Sequence, residues 1–155
     1  MWFGRPAASP YEGEVETYRS RVARRWPAED VPLKPAAGGR EEDPRRALRA
    51  EAEKLCRRLP DGWATIVLDE HGELLDSEAL ARELEGLETV GTPGASFVIG
   101  SDLGLDPALR QDASRVISLG RLTYPHQLAR LVLWEQLYRA ADILSGGRYH
   151  RHALQ

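Results

Sequence analysis

The stretch that decides the fold runs from Ser118 to Arg151 and reads SLGRLTYPHQLARLVLWEQLYRAADILSGGRYHR. A turn-rich loop, Leu119-Gly120-Arg121-Leu122-Thr123-Tyr124, passes through Pro125 into a long apolar segment that breaks at Gly146-Gly147 before a tail of Tyr149, His150 and Arg151. Proline is tolerated at a helix start and paired glycines mark an end, so the pattern predicts a helix from His126 to Leu144. Projected at 100° per residue, Leu133, Trp134, Leu137, Ala140, Ala141 and Leu144 share one broad face, with Arg130 in its middle. A charge there has to reach a carboxylate such as Glu135 or point at a ligand, because an unpaired buried charge is very costly. On the other side Leu128, Val132 and Ile143 flank Glu135 and Arg139, which stand four apart in the favourable order for an ion pair. One apolar side packed on its own sheet and the other on a second subunit would explain the pattern, so a homodimer is expected. The plainer alternative is an exposed ion pair on a slightly greasy helix.

Upstream of this helix, helical patterns alternate with short apolar strands, the mark of an α/β domain with a mainly parallel sheet flanked by helices. Met1 to Gly4 reads as the stub of a first strand. Ser9-Pro10 supplies an N-cap and an N1 proline for a helix whose stripe is Tyr11, Val15, Tyr18, Val22 and Trp26, ended by Pro27. Residues 31–43 (VPLKPAAGGREED) can give only a poor strand and then a flexible loop, because prolines and glycines interrupt them. Asp43-Pro44 opens a second helix with Leu48, Ala52, Leu55 and Leu59 inward. Trp63 to Leu68 is a buried strand, and Ser77 caps a third helix to about Leu84. Ala95 to Ile99 is another strand, Asp106-Pro107 opens a short helix, and Val116 to Ser118 is the last strand.

Composition sets bounds. A chain of 155 residues, 42% hydrophobic, is expected to be a single domain spanning 1–155 that buries roughly 70% of its unfolded surface. A lone Cys56 forms no internal disulfide, and Met1-Trp2-Phe3 meets Gly4-Arg5-Pro6 too soon for a signal peptide, so a cytoplasmic protein without a membrane span is expected. Of 21 basic residues only Lys34 and Lys54 are lysine; a GC-rich genome explains that bias as readily as phosphate recognition does. A net charge of −3 excludes indiscriminate nucleic-acid binding, leaving a local patch and shape to make any RNA contact.

Gly100-x-x-x-Gly104 follows a buried strand and suits a backbone loop at the carboxyl end of a parallel sheet, where ligands bind in such folds. It is neither a dinucleotide fingerprint nor a P-loop, and on its own it is equally a turn. Three strand exits, at Leu68-Asp69, Gly100 and Leu119, could converge on one cofactor. His126 at the helix start suits capping or a hydrogen bond that holds the loop. His150-x-His152 has no third ligand at a recognisable spacing, so no metal is expected. Arg19, Arg21, Arg24 and Arg25 complement the C-terminal dipole of their helix without any RNA.

The loop, the T-Y-P-H-Q helix start, the E-Q-L-Y-R-A segment and the Y-H-R tail together resemble the SPOUT-class, RlmH-type ribosomal RNA methyltransferases. These are knotted, S-adenosylmethionine-dependent dimers that methylate pseudouridine in 23S rRNA. The likeness is specific from Ile66 to Arg151 and loose over residues 1–60, where Gly4-Arg5 and Glu16-Thr17-Tyr18 carry it. It implies a C-terminal trefoil knot, and S-adenosylmethionine binding at Leu68, Gly100, Leu119, Gly120, Arg121, Leu122, Thr123 and Tyr124. It further implies catalytic roles for Tyr149, His150, Arg151 and Arg139, with 23S rRNA in the ribosome as partner. A knotted methyltransferase acting on another RNA and a catalytically silent ribosome-binding module are the alternative readings.

The chain departs from the family pattern in three places. Ser101 stands at a second glycine, which matters only if that residue needs a positive φ. Gly120 replaces a small polar residue. The first strand lacks the apolar residues that the family has before its glycine, which points to a start codon assigned too far downstream.

Overall fold

The computed structural model describes residues 1–6, 9–36 and 43–151. Its elements are β1 (Trp2–Phe3), α1 (Glu12–Val22), β2 (Pro32–Leu33), α2 (Pro44–Cys56), β3 (Ala64–Leu74), α3 (Ser77–Thr89), β4 (Ala95–Ile99), α4 (Pro107–Asp112), β5 (Arg115–Ser118) and α5 (His126–Leu144), with a closing 3₁₀ turn at Tyr149–Arg151. The five strands form one sheet in the order β2-β1-β4-β3-β5, every neighbouring pair parallel. This is the α/β architecture that the alternation predicts.

Strand alternation sorts the core into two layers. Trp2, Ile66, Leu68, Ile99 and Ile117 face α1, α3 and α5. Phe3, Val67 and Val98 face the opposite way, with Leu55 of α2, Leu105 and Leu109 of α4. Trp2, Phe3, Leu55, Ile66 and Val67 are almost completely buried, each contributing on the order of 2–3 kcal/mol. β1 needs only its two residues because it lies between β2 and β4 and buries one side chain on each face.

Several boundaries and caps differ from the sequence reading. Ser9 does not cap α1: Tyr11 is the N-cap residue with no side-chain cap bond, and the helix ends at Val22, before Trp26. On α2 the Asp43 cap and the N1 proline are as read, but the buried positions are Ala47, Glu51 and Leu55, with Leu48 only half-buried. Asp76, not Ser77, caps α3 by accepting from the Ala79 N–H at 2.6 Å, and that helix continues to Thr89. Trp63 lies outside the strand and is exposed. Of the expected loop after β2, residues 37–42 lie outside the described residues.

The middle of α5 is pinned to the amino-terminal third of the chain. Arg130, 1% exposed, donates through Nη1 and Nη2 to Glu12 (2.7 and 3.1 Å) and through Nε and Nη2 to Asp30 (3.1 and 2.7 Å). Trp2 and Trp134 each donate their indole N–H to Asp30 at 3.0 Å, and the guanidinium lies 4.3 Å from the Trp2 ring centre. Burial alone would lower the Arg130 pKa, but the two carboxylates outweigh it and hold the value above the ordinary one. Its partners are therefore Glu12 and Asp30 rather than Glu135, and it does not point at a ligand. Among the described residues no helix is long and apolar enough to cross a membrane.

Candidate active site

Two groups of residues gather the predicted site positions, one at each end of α5. The first lies on the carboxyl edge of the sheet. Leu68 is in register with Ile99 on one side and with Ile117 on the other. Gly100 and the loop after Ser118 therefore leave adjacent parallel strands at nearly the same level as Leu68. Leu68 itself is not a strand exit: β3 passes through an irregularity at 69–72 and pairs again, Glu73 with Ile117 and Leu74 with Ser118. Gly72 is required there, because a Cβ would stand 2.5 Å from the Ile117 carbonyl carbon.

That irregularity is fastened to its neighbours. Asp69 accepts from the His71 N–H (2.9 Å), the His71 ring (3.1 Å) and Arg110 (3.0 Å). Burial would raise its pKa, but these donors and the Arg110 charge prevail and hold the carboxyl below its usual range. Glu70 accepts from the Thr123 hydroxyl at 2.9 Å, tying β3 to the loop before α5. Within that loop the Ser118 hydroxyl donates to the Gly120 carbonyl (2.7 Å) and accepts from its N–H (3.2 Å). Gly120 has φ 150°, which disfavours any side chain there. Leu119 and Tyr124 pack on the core, while Leu122 is 70% exposed beside them and Arg121 is exposed.

The Gly100 loop is a tight reversal. A Cβ on Gly100 would lie 2.4 Å from the Gly104 carbonyl oxygen, and Gly104 itself has φ 84°. Ser101 does not have positive φ, so its difference from the family glycine carries no backbone strain. His126 meets Asp102 at 2.9 Å and stacks against Trp2, which gives it the loop-holding role expected from its position.

The second group surrounds Glu135. Its Oε1 accepts from Arg139 Nη2 and from the Tyr149 hydroxyl (3.0 Å), and its Oε2 accepts from the Gln136 amide (2.6 Å). Gln136 in turn accepts from the Ser77 hydroxyl at 2.6 Å. The Tyr149 ring lies 4.7 Å from both the Tyr138 ring centre and the Arg139 guanidinium carbon, and its hydroxyl is 3.4 Å from that of Tyr18. Burial, then these hydrogen bonds, push the Tyr149 phenol well above its usual pKa, so it stays protonated and keeps its hydrogen bond to Glu135. Burial opposes the Arg139 charge, but Glu135 raises its pKa nonetheless.

His150 has its Nε2 3.6 Å from Glu78, while its buried Nδ1 has no hydrogen-bond partner among the described residues. The side chain of Arg151 and all of His152 lie outside the described residues.

Gly146-Gly147 follows the end of α5, where the sequence reading places the break. Gly146 (φ 68°) donates to the Ile143 carbonyl and Gly147 to that of Asp142, the paired bonds of a Schellman cap. The Asp142 carboxylate then accepts from the backbone N–H groups of Tyr149 (2.9 Å) and His150 (3.3 Å), so the tail is docked along α5, α1 and α3. In the sequence Glu135 stands out as a partner for Arg139 or for Arg130. Its place four residues before Arg139 was the available signal, but the folding back of Tyr149 was not visible. Among the described residues no cluster of three or more His, Cys, Asp or Glu could hold a metal.

Comparison with known proteins gives this arrangement its setting. A family described as "Predicted SPOUT methyltransferase" matches residues 1–150. Ribosomal RNA large subunit methyltransferase H of Rhizobium meliloti (strain 1021) is 42% identical over 151 residues, covering 96% of this chain and 94% of that protein. The protein of the same name from Ruegeria sp. (strain TM1040) is 40% identical over 149 residues, with the same coverage. That of Roseobacter denitrificans is 41% identical over 150 residues, covering 96% and 95%. The likeness thus extends through the first 60 residues, where the motifs are loose, and the chain belongs to the SPOUT methyltransferase family.

Proposed function

We propose that this protein is an S-adenosylmethionine-dependent methyltransferase acting on N3 of a pseudouridine in 23S rRNA of the large ribosomal subunit, in the cytoplasm and as a homodimer. The observation that carries the reading is the register placing Leu68, Gly100 and Leu119 together on the carboxyl edge, which is where parallel α/β sheets bind ligands. The names of the relatives support the substrate class. The trefoil knot that the family resemblance implies belongs to the same reading.

The residues of the edge suit the donor. Leu68, Leu119, exposed Leu122 and Tyr124 offer apolar and aromatic walls, while Gly100 and Gly120 present backbone groups without side chains. Arg121 and Thr123 complete the loop. S-adenosylmethionine would supply an electrophilic methyl group there. The chain's own task is to place the accepting nitrogen in line with it and to favour that nitrogen's deprotonated form.

Arg139 and Arg151 provide positive charge toward an imide anion, and His150, whose Nδ1 has no hydrogen-bond partner among the described residues, receives the N3 proton. Tyr149 contributes a stacking face and a fixed hydroxyl. The tail, seated on α1, α3 and α5, would serve the edge of a partner subunit. Leu128 and Val132 support dimerisation, being half-buried and outside both core clusters, whereas Ile143 packs within its own core.

Transfer of a tritiated methyl group to ribosomes lacking the modification tests the proposal, with naked RNA and tRNA as comparison substrates. Transfer to tRNA instead of ribosomes would redirect the substrate, and donor binding without any transfer would leave a silent ribosome-binding module.

A further inference from the structure

Glu51 is a carboxylate on the inner face of α2, 3% exposed, between Ala47 and Leu55. Such a group needs hydrogen-bond donors, and the two it receives are informative. Its Oε1 accepts from the Ala36 N–H at 3.1 Å, and its Oε2 accepts from the Ser101 hydroxyl at 2.8 Å. Ser101 is the residue immediately after Gly100, at the position where the chain departs from the family glycine. Its hydroxyl also accepts from the Leu103 N–H (3.3 Å), and its carbonyl accepts from the Gly104 N–H (2.9 Å). One residue thus closes the reversal from inside and anchors it to α2. The next residue, Asp102, turns to the opposite layer and meets His126 of α5 at 2.9 Å. The loop is held from both faces of the sheet, by α2 below and α5 above.

We propose that Glu51 and Ser101 are positioning residues of the methyl-donor site, fixing the backbone of Gly100 to Leu103 against the carboxyl edge. This inference rests on the reading that the Gly100 loop binds the donor. In a chain with glycine at position 101 the Glu51 carboxylate would lack this donor. Here the serine joins the Gly100 loop to α2, and through Ala36 to the connection that follows β2. Lys54, three residues further along α2, donates to the Lys34 carbonyl at 2.7 Å, so that connection is itself secured at two points. The pair acts on the donor through backbone placement and touches no reacting atom, which separates its effect from that of the tail.

The test is calorimetric titration of S-adenosylmethionine into the full chain and its variants, with kcat and KM for the donor on ribosomes and the melting temperature without ligand. Ser101→Ala should weaken donor binding about three- to tenfold, the range for one lost hydrogen bond, with kcat at saturating donor nearly unchanged and a modest fall in the melting temperature, since the buried Glu51 carboxylate loses a donor. Glu51→Gln, which keeps a carbonyl acceptor, should stay within about twofold of the parent, whereas Glu51→Leu should match Ser101→Ala. The double variant Ser101→Ala/Glu51→Leu should be no weaker than either single one, as expected for two ends of one bond. If the parent binds the donor and Ser101→Ala binds it equally well, or if the two effects add, the inference fails while the site reading stands. If the parent binds no donor, the reading of the edge as the donor site fails.

Discussion

Arg130 and Arg139 lie on the same helix and each meets a carboxylate, yet they sit in different kinds of surroundings. Arg130 is saturated: four hydrogen bonds reach two carboxylates, and an indole covers its face. Its carboxylates come from α1 and from the segment before β2, so the cluster joins distant parts of the chain and leaves no capacity for a ligand. Arg139 shares one carboxylate with Tyr149, rests on the Tyr149 ring and is a quarter exposed. Among the described residues its other nitrogens have no hydrogen-bond partner, which leaves donors available to a nucleotide. The difference separates a cation that assembles the fold from one that can serve chemistry, and full satisfaction is the criterion.

The sharpest test of that division removes the tail. Ending the chain after Ser145 should lower methyl transfer on the order of 100- to 10,000-fold, the range for losing a positioned proton acceptor, with donor affinity nearly unchanged. Transfer at the full rate would make the Glu135 cluster merely structural. His150→Ala should reproduce most of this loss in kcat.

Next comes the contrast between the two arginines. Arg130→Met should cost about 3 kcal/mol of folding stability, since it strands the Asp30 carboxylate against the core and takes the cation from half-exposed Glu12; Arg139→Met should cost about 1 kcal/mol or less while depressing kcat. Equal losses of stability in denaturant titrations would erase the distinction. Tyr149→Phe removes one hydrogen bond to Glu135 and should lower stability by about 1 kcal/mol, leaving donor affinity as it was.

The smallest expected effect lies in acid. The folded-state pKa of Asp69 is below its ordinary value, so its contribution is present above about pH 4 and fades as pH falls through the depressed value. Asp69→Asn should therefore flatten the acid limb of the stability profile and leave neutral pH least affected in slope. An unchanged limb would mean that Arg110 and His71 do not stabilise the charged carboxylate.

What the sequence made legible was local. The bounds of α5, the caps of α2 and α4 and the strand β4 follow from proline, aspartate and apolar runs within a few residues. The partner of Arg130 was not legible, because Glu12 and Asp30 lie 118 and 100 residues away while Glu135 lay temptingly near. The far half of β3 was hidden by Asp69 to Gly72, polar and turn-like in sequence but held in place by Arg110, Thr123 and the Ile117 backbone. Gly146-Gly147 marks the end of α5 as read, but the sequence did not show that Asp142 fixes the tail that follows. The donor edge was visible because backbone register builds it. The Glu135 cluster was only half visible because side chains folded back on themselves build it.

The position of β1 has a consequence in time. Trp2 and Phe3 are synthesised well before β4, yet Trp2 pairs with Ile99 in the interior of the sheet. At about 5–20 residues per second, this strand waits on the order of 5 to 20 seconds for β4 to be synthesised. During that interval two large aromatic side chains lack their final cover, a natural foothold for a chaperone. Refolding of the finished chain carries the same burden, since pairings between residues far apart in sequence close large loops and slow the search.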